Sequence, residues 1–381
     1  MRRETGRPTG WLRLLVLAAV CGCGSGRRAA AQQIPAGFQP HEVADHHVLY
    51  LPPGFTIGLY AEHLDGIRNV VTGPDGVPYA VYRTGSVMKL PDANRDGRAD
   101  TVIAVATGLN RPFGLAFRGD TMYVGETDGV KRYLPGNPVP QQVVSGLPGG
   151  GNHWTRTLAF GPDGKLYVSI GSSCNVCDET DPRRATVTRY NADGSGEHIF
   201  ATGLRNSVGI AFNPTTGELW GTNNDRDNLG DDRPPERINI LKDGKFYGWP
   251  QCWLPGERNP EYSQADCSGV EPPAITYQAH SAPLGMAFYT GTQFPAEYRG
   301  DAFVAYHGSW NRSVPTGDKV TRFRVKDGKP VGVEDFIVGW QLPNGSRWGR
   351  PVGIAVLPDG SMLVSDDDGA RIWRVSYGKE R

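Results

Sequence analysis

The sequence predicts an all-β fold, a six-bladed β-propeller, and three observations carry that expectation. One phrase, an apolar strand, a turn and a second strand, recurs six times along the 381 residues. Glycine and proline number 51 and 30, which favours short strands and turns over long helices. No internal apolar run is long enough to cross a bilayer as a helix.

The six copies can be taken in order. The first runs from Val70 through Gly73-Pro74-Asp75-Gly76 to Val81, and the second from Gly114 to Gly125. The third, Leu158 to Gly171, shows the pattern most fully. Leu158-Ala159-Phe160 is apolar, Gly161-Pro162-Asp163-Gly164 is turn chemistry, and Lys165 to Ile170 alternates as a half-buried strand does. The fourth spans Gly209 to Gly221, the fifth Gly285 to Tyr306, and the sixth Gly353 to Ser365. Their spacing, roughly forty to seventy-five residues, reaches past the usual propeller repeat, so the later blades carry insertions. A single four-stranded blade cannot bury both faces; blades packed around an axis can. Residues 46–378 therefore read as one propeller domain. Its ring is expected to close by pairing an N-terminal strand with the last blade.

Residues 1–31 read as an export signal. Arg2, Arg3, Arg7 and Arg13 precede or flank a short apolar core, and Ala29-Ala30-Ala31 offers a cleavage site. A rival processing is open, because Val20-Cys21-Gly22-Cys23 is similar to a bacterial lipobox that would leave a lipidated Cys23. The expected location is the periplasm, with membrane contact only through that anchor. Residues 32–45 read as a linker. Lys+Arg and Asp+Glu are each 40, so charge makes no case for a nucleic-acid partner. Beyond the signal, Cys174, Cys177, Cys252 and Cys267 remain, an even number that fits disulfides in an oxidising compartment. Cys174 with Cys177 and Cys252 with Cys267 would close short loops, though other pairings and a zinc site are open. Haem attachment is disfavoured, since Asp178 follows Cys177.

Four stretches carry candidate chemistry. Asp92, Asn94, Asp96 and Asp100, with Gly97, resemble the start of a calcium loop, but Ile103 stands where its closing glutamate belongs, so a plain acidic turn competes. His153 follows three glycines and precedes Trp154, a candidate pocket wall; a neutral imidazole at a pocket mouth suits a general base. Arg205 and Asn206 hold the same place in the fourth repeat, where a guanidinium could receive a carboxylate or a developing oxyanion. The run from Asn223 to Asp232 is dense in oxygen ligands for a hard cation.

Together these residues resemble the soluble quinoprotein sugar dehydrogenases, a family of six-bladed propellers using pyrroloquinoline quinone (PQQ) and calcium. The resemblance spans about residues 45 to 377. It rests on the histidine before Leu158 and the turn after it, on Arg205-Asn206 with Gly209, and on Asn239 with Tyr247-Gly248-Trp249-Pro250. The Arg226 to Asp232 insert and His307-Gly308-Ser309-Trp310-Asn311-Arg312 look closest to the sorbosone and pyranose branch. The resemblance implies His153 as catalytic base and Arg205 beside the reactive quinone carbonyl. It implies Asn206 and His280 in the cofactor site, with Arg350 near the cofactor carboxylates. Backbone carbonyls of Asp225 and Arg226 would bind calcium, with Asp227 alongside. Val352 replaces a second carboxylate-binding arginine, and the fifth-blade lysine is missing near Gly308, so Arg312 or Lys319 would have to supply that charge. The implied activity is oxidation of a sugar, whether aldose, pyranose or sorbosone, with a cytochrome as one electron acceptor. Two other classes stay open: a calcium-dependent lactonase-type hydrolase and a non-catalytic binding module.

Overall fold

The computed structural model describes residues 32–378. The expected export signal, lipobox and Cys23 lie outside them. Six four-stranded antiparallel sheets form the blades. In chain order they occupy 67–106, 114–145, 156–202, 210–277, 283–337 and 351–377, the last completed by an early strand. The first two strands of every blade are the two strands of one sequence repeat. All six copies were therefore true structural units.

The early strand, Phe55–Ala61, pairs antiparallel with Arg371–Tyr377 and becomes the outer strand of blade six. The expected closure is thus present, and it leaves no blade short of a fourth strand. Residues 32–45 are more than a linker. Gln39–Glu42 pairs with Val48–Leu51, and Tyr50 bridges to Val338. The Gln32 side chain donates to the Gly317 carbonyl and accepts from the Gly339 amide. The exposed, polar strand Gln39–Glu42 reads like linker, while its partner strand buries Leu49 and Leu51 in the core.

The core lies between blades. Apolar faces of adjacent sheets meet in separate clusters, the largest holding Phe55, Phe303, Trp340 and Trp373 between blades five and six. Each such fully buried large side chain contributes about 1.5–3 kcal/mol of transfer free energy. The fourth repeat's excursion is anchored sideways: Lys245–Phe246 adds a parallel strand to the outer edge of blade three, covering an exposed edge. At one end of the axis Phe113, Val208, Leu284 and Val352 pack into an apolar plug with Trp154 against it. These residues sit where the innermost strands begin. None of the plug's buried members lines the polar cavity described below. The plug accounts for Val352, since an arginine there would bury its charge among apolar side chains.

Candidate functional site

The starts of the innermost strands and the loops leading into them carry six basic residues, one from each blade: Arg68, Arg111, His153, Arg205, His280 and Arg350. Three of them, His153, Arg205 and His280, line a single cavity of about 130 Å³. Its walls also include Asn206, Asn224, Asp225, Asp227, Glu236, Gly308, Trp310 and Asn311.

His153 is held in one orientation. Its Nδ1 lies 2.9 Å from both the carbonyl and the hydroxyl oxygen of Ser172. A carbonyl only accepts, so Nδ1 carries the proton and Nε2 keeps the lone pair. Burial, and then the Arg205 charge, push His153 down to about 3. The imidazole is therefore neutral at ordinary pH. The glycine loop before it is clamped by two arginines. Arg184 donates to the carbonyls of Gly149, Gly150 and His153, and Arg156 donates to Pro148 and Thr155. Gly151, at φ +72°, passes so close to Ser173 that a Cβ would sit 2.5 Å from its carbonyl oxygen. Gly171 faces the ring itself; a Cβ there would lie 2.6 Å from both His153 Cβ and Asn206 Oδ1.

Arg205 is buried and fully engaged. It donates to the backbone oxygens of Asp225 (2.7 Å) and Asn175 (3.2 Å), and pairs with Asp227 at 2.8 Å. Its own carbonyl accepts from the Ser172 amide at 2.7 Å, tying it to the residue that orients His153. Asn175 joins these parts. Its Oδ1 accepts from Arg205 Nη2 (3.0 Å) and the Asp227 amide (2.8 Å), and its Nδ2 donates to the Asp227 carbonyl. Cys174 and Cys177, on either side, form a disulfide; so do Cys252 and Cys267.

The far wall is the insert in blade four. The Asp225 carboxylate pairs with buried Arg237 at 2.6 Å. Glu236 is wholly enclosed and accepts from the Asp225 amide at 2.9 Å; burial pushes its carboxyl up to about 8. His280 places Nε2 at 2.8 Å from the Gly230 carbonyl, and its Nδ1 faces the Asn311 amide. Asn311 also donates to Asp227 at 2.7 Å.

Several expected residues lie elsewhere. Arg312 bonds to Asp231 and Asp232, and Lys319 pairs with Asp335 on the neighbouring strand, so neither supplies the missing charge. Arg312 is held by the blade-four insert and Lys319 by an acid of its own sheet. The Arg226 side chain pairs with Glu261, which leaves the expectation for its backbone carbonyl open; Asp225 and Asp227 line the cavity. Arg350 adjoins it, donating to the carbonyls of His307 and Gly308. Trp154 packs toward the plug, with the Arg111 guanidinium 4.6 Å above its ring, instead of walling the cavity. The Asp92–Asp100 loop closes on itself: Asp92, Asn94, Asp96 and Asp100 accept from the loop's own amides. It reads as an acidic turn, and none of its residues lines the cavity. Asn175, Arg184 and Glu236 were not foreseen. For Asn175 the signal is its place inside Cys174-x-x-Cys177; for Glu236 it is an acid opening a strand whose residues alternate Arg237, Ile238, Asn239 and Ile240.

The residues present fit both groups that the resemblance implies. Asp225, Asp227, Glu236 and nearby carbonyls make an oxygen-only donor set, as a hard cation requires. Asn223 Oδ1, beside Asp225, is buried without a hydrogen-bond partner. Arg205 and adjoining Arg350 offer positive charge to a polycarboxylate, and His280 a ring nitrogen beside them.

Fold and site together define a six-bladed propeller with a polar cavity at one rim. Sequence comparison then names the family. Residues 140–322 match the profile described as Glucose / Sorbosone dehydrogenase. An uncharacterized protein of Borreliella burgdorferi is 33% identical over 87% of this chain and 91% of its own length. An aldose sugar dehydrogenase of Escherichia coli is 29% identical over 38% of this chain and 43% of that enzyme. The holo form of the PQQ domain of Coprinopsis cinerea pyranose dehydrogenase superposes with a TM-score of 0.75 at 21% identity, covering 87% of this chain and 97% of that one. The chain belongs to the glucose/sorbosone dehydrogenase family.

Proposed function

We propose that this protein is an exported PQQ- and calcium-dependent sugar dehydrogenase. The observation that carries the reading is one cavity with His153 Nε2 unprotonated on one wall and Arg205 beside an oxygen-rich wall on the other. The relatives' sugar substrates and the quinone of the Coprinopsis domain support it. When bound, the quinone supplies a carbon that accepts hydride, and calcium supplies Lewis acidity.

The chain's own residues do the rest. His153 Nε2 takes the proton from the sugar hydroxyl, while Nδ1–H stays on Ser172 and fixes the ring. Arg205, preorganised by Asn175 and Asp227, holds positive charge where negative charge grows. Asn206 and Asn224 offer amide groups to hydroxyls. Asp225, Asp227 and Glu236 would hold the cation. The two disulfides support an oxidising compartment, where a soluble cytochrome would take the electrons.

The test is reconstitution with PQQ and calcium, followed by dye reduction with aldoses and sorbosone. His153→Ala is expected to cut turnover at least about a hundredfold while quinone absorbance shows that the cofactor still binds. Unchanged turnover would remove His153 from its role.

A further inference from the structure

The two disulfides differ in what surrounds them. Cys252 and Cys267 are 0% and 2% exposed and pack with Val270 in an apolar cluster of their own, none of which lines the cavity. They lie fifteen residues apart, a separation at which a cross-link restrains the unfolded chain. Cys174 and Cys177 lie three apart, so their bond gains less that way. Both are partly exposed, on the connection 171–185, which holds no strand or helix. A short bond in an irregular loop is a weak staple for the fold.

Its neighbours give it another task. The Cys174 carbonyl accepts from the Ser172 hydroxyl at 2.7 Å. That hydroxyl has then spent its proton, so it meets His153 Nδ1–H as an acceptor at 2.9 Å. Asn175, the next residue, holds the opposite wall. Its side chain accepts from Arg205 and from the Asp227 amide. Its carbonyl accepts from Arg205 Nε at 3.2 Å and from Trp249 Nε1 at 2.9 Å. Two consecutive residues within one disulfide loop thus position both the imidazole and the guanidinium. We propose that the Cys174–Cys177 bond is a positioning element for His153 and Arg205, and that its reduction lowers turnover while the propeller stays folded. The step is a two-electron exchange: a dithiol gives two electrons and two protons, closes to its own disulfide and leaves two cysteine thiols. This rests on the dehydrogenase reading of His153 and Arg205.

Two forms of the protein test it. Dithiothreitol applied to the cofactor-free protein is expected to open Cys174–Cys177 before the buried Cys252–Cys267, read by alkylation and mass spectrometry. The double variant Cys174→Ser, Cys177→Ser removes the bond by substitution. Freed of dithiol and loaded with PQQ and calcium, both forms should show kcat on an aldose at least about tenfold below wild type, with KM within about twofold and a native circular-dichroism spectrum. Reoxidation with diamide should restore the reduced form and leave the serine variant slow. In the cofactor-free protein near neutral pH, the His153 ring nitrogens should give two well-separated nitrogen resonances, one protonated and one bare. In the serine variant they should move toward each other as the tautomers mix.

Wild-type kcat in both forms overturns the proposal. So does a loss of kcat that comes only with a non-native circular-dichroism spectrum, which would make the bond a staple of the fold. If the loaded wild type oxidises nothing, the dehydrogenase reading fails, and the nitrogen resonances still decide whether the disulfide fixes the imidazole.

Discussion

At the scale of single residues, the site is a matter of which groups are already spent. Arg205 directs its guanidinium at Asn175, Asp225 and Asp227, so its charge is fixed in place before any ligand arrives. His153 is the opposite case, with one nitrogen committed and one free. Its folded value of about 3 against 6.5 in an unfolded chain has a consequence for stability. Below 6.5 the unfolded chain takes up a proton that the folded ring refuses. Stability from this residue is therefore full above about pH 6.5 and declines as pH falls toward 3. Thermal melting across that window should show a shallower decline for His153→Gln than for the wild type. Gly171 sets the ring's position from below. Gly171→Ala is expected to displace His153 and lower turnover about tenfold or more, read beside a circular-dichroism spectrum that stays native.

Elements were legible in proportion to how strictly geometry repeats them. The inner strand pair is the same object six times, so Val70, Gly114, Leu158, Gly209, Gly285 and Gly353 each announced a blade. Outer strands obey weaker rules, since a face turned to solvent tolerates many residues. The edge hairpin at Gln39–Glu42 escaped notice for that reason. Site residues on pre-strand loops, His153, Arg205 and His280, could be placed by counting from a strand. Those on insertions could not, because an insertion has no register: Arg312 looked available and is paired with Asp232 of another blade's insert. Lys319, at the start of a strand, is taken by Asp335 of the neighbouring strand. Asn175 belongs to the same lesson. It sits on a loop between strands of blade three, held by the Cys174–Cys177 bond, and reaches across to blade four. Asn175→Ala leaves Arg205 and the Asp227 amide without their acceptor. It should cost about 1–3 kcal/mol of stability, measured by denaturant midpoint, and lower turnover as well.

For the whole molecule, the propeller explains how distant segments share a cavity. Segments from His153 to Asn311 contribute to one mouth because blades three, four and five deliver their loops to the same end of the axis. Phe113, Val208, Leu284 and Val352, from four blades, pack into one apolar cluster near the starts of the innermost strands. Val352→Arg, which restores the residue type the family resemblance anticipates there, is expected to destabilise the fold by several kcal/mol, because a lone buried charge has no partner in an apolar plug. Thermal unfolding would show it directly.

The seam between Phe55–Ala61 and Arg371–Tyr377 joins the first part of the fold to the last. A chain leaving the ribosome must keep its leading strand unmatched until the final blade has been made. Fragments halted anywhere short of that point carry a raw strand edge, vulnerable to proteases and to sticking. Completion of the circle is thus a built-in check of full length.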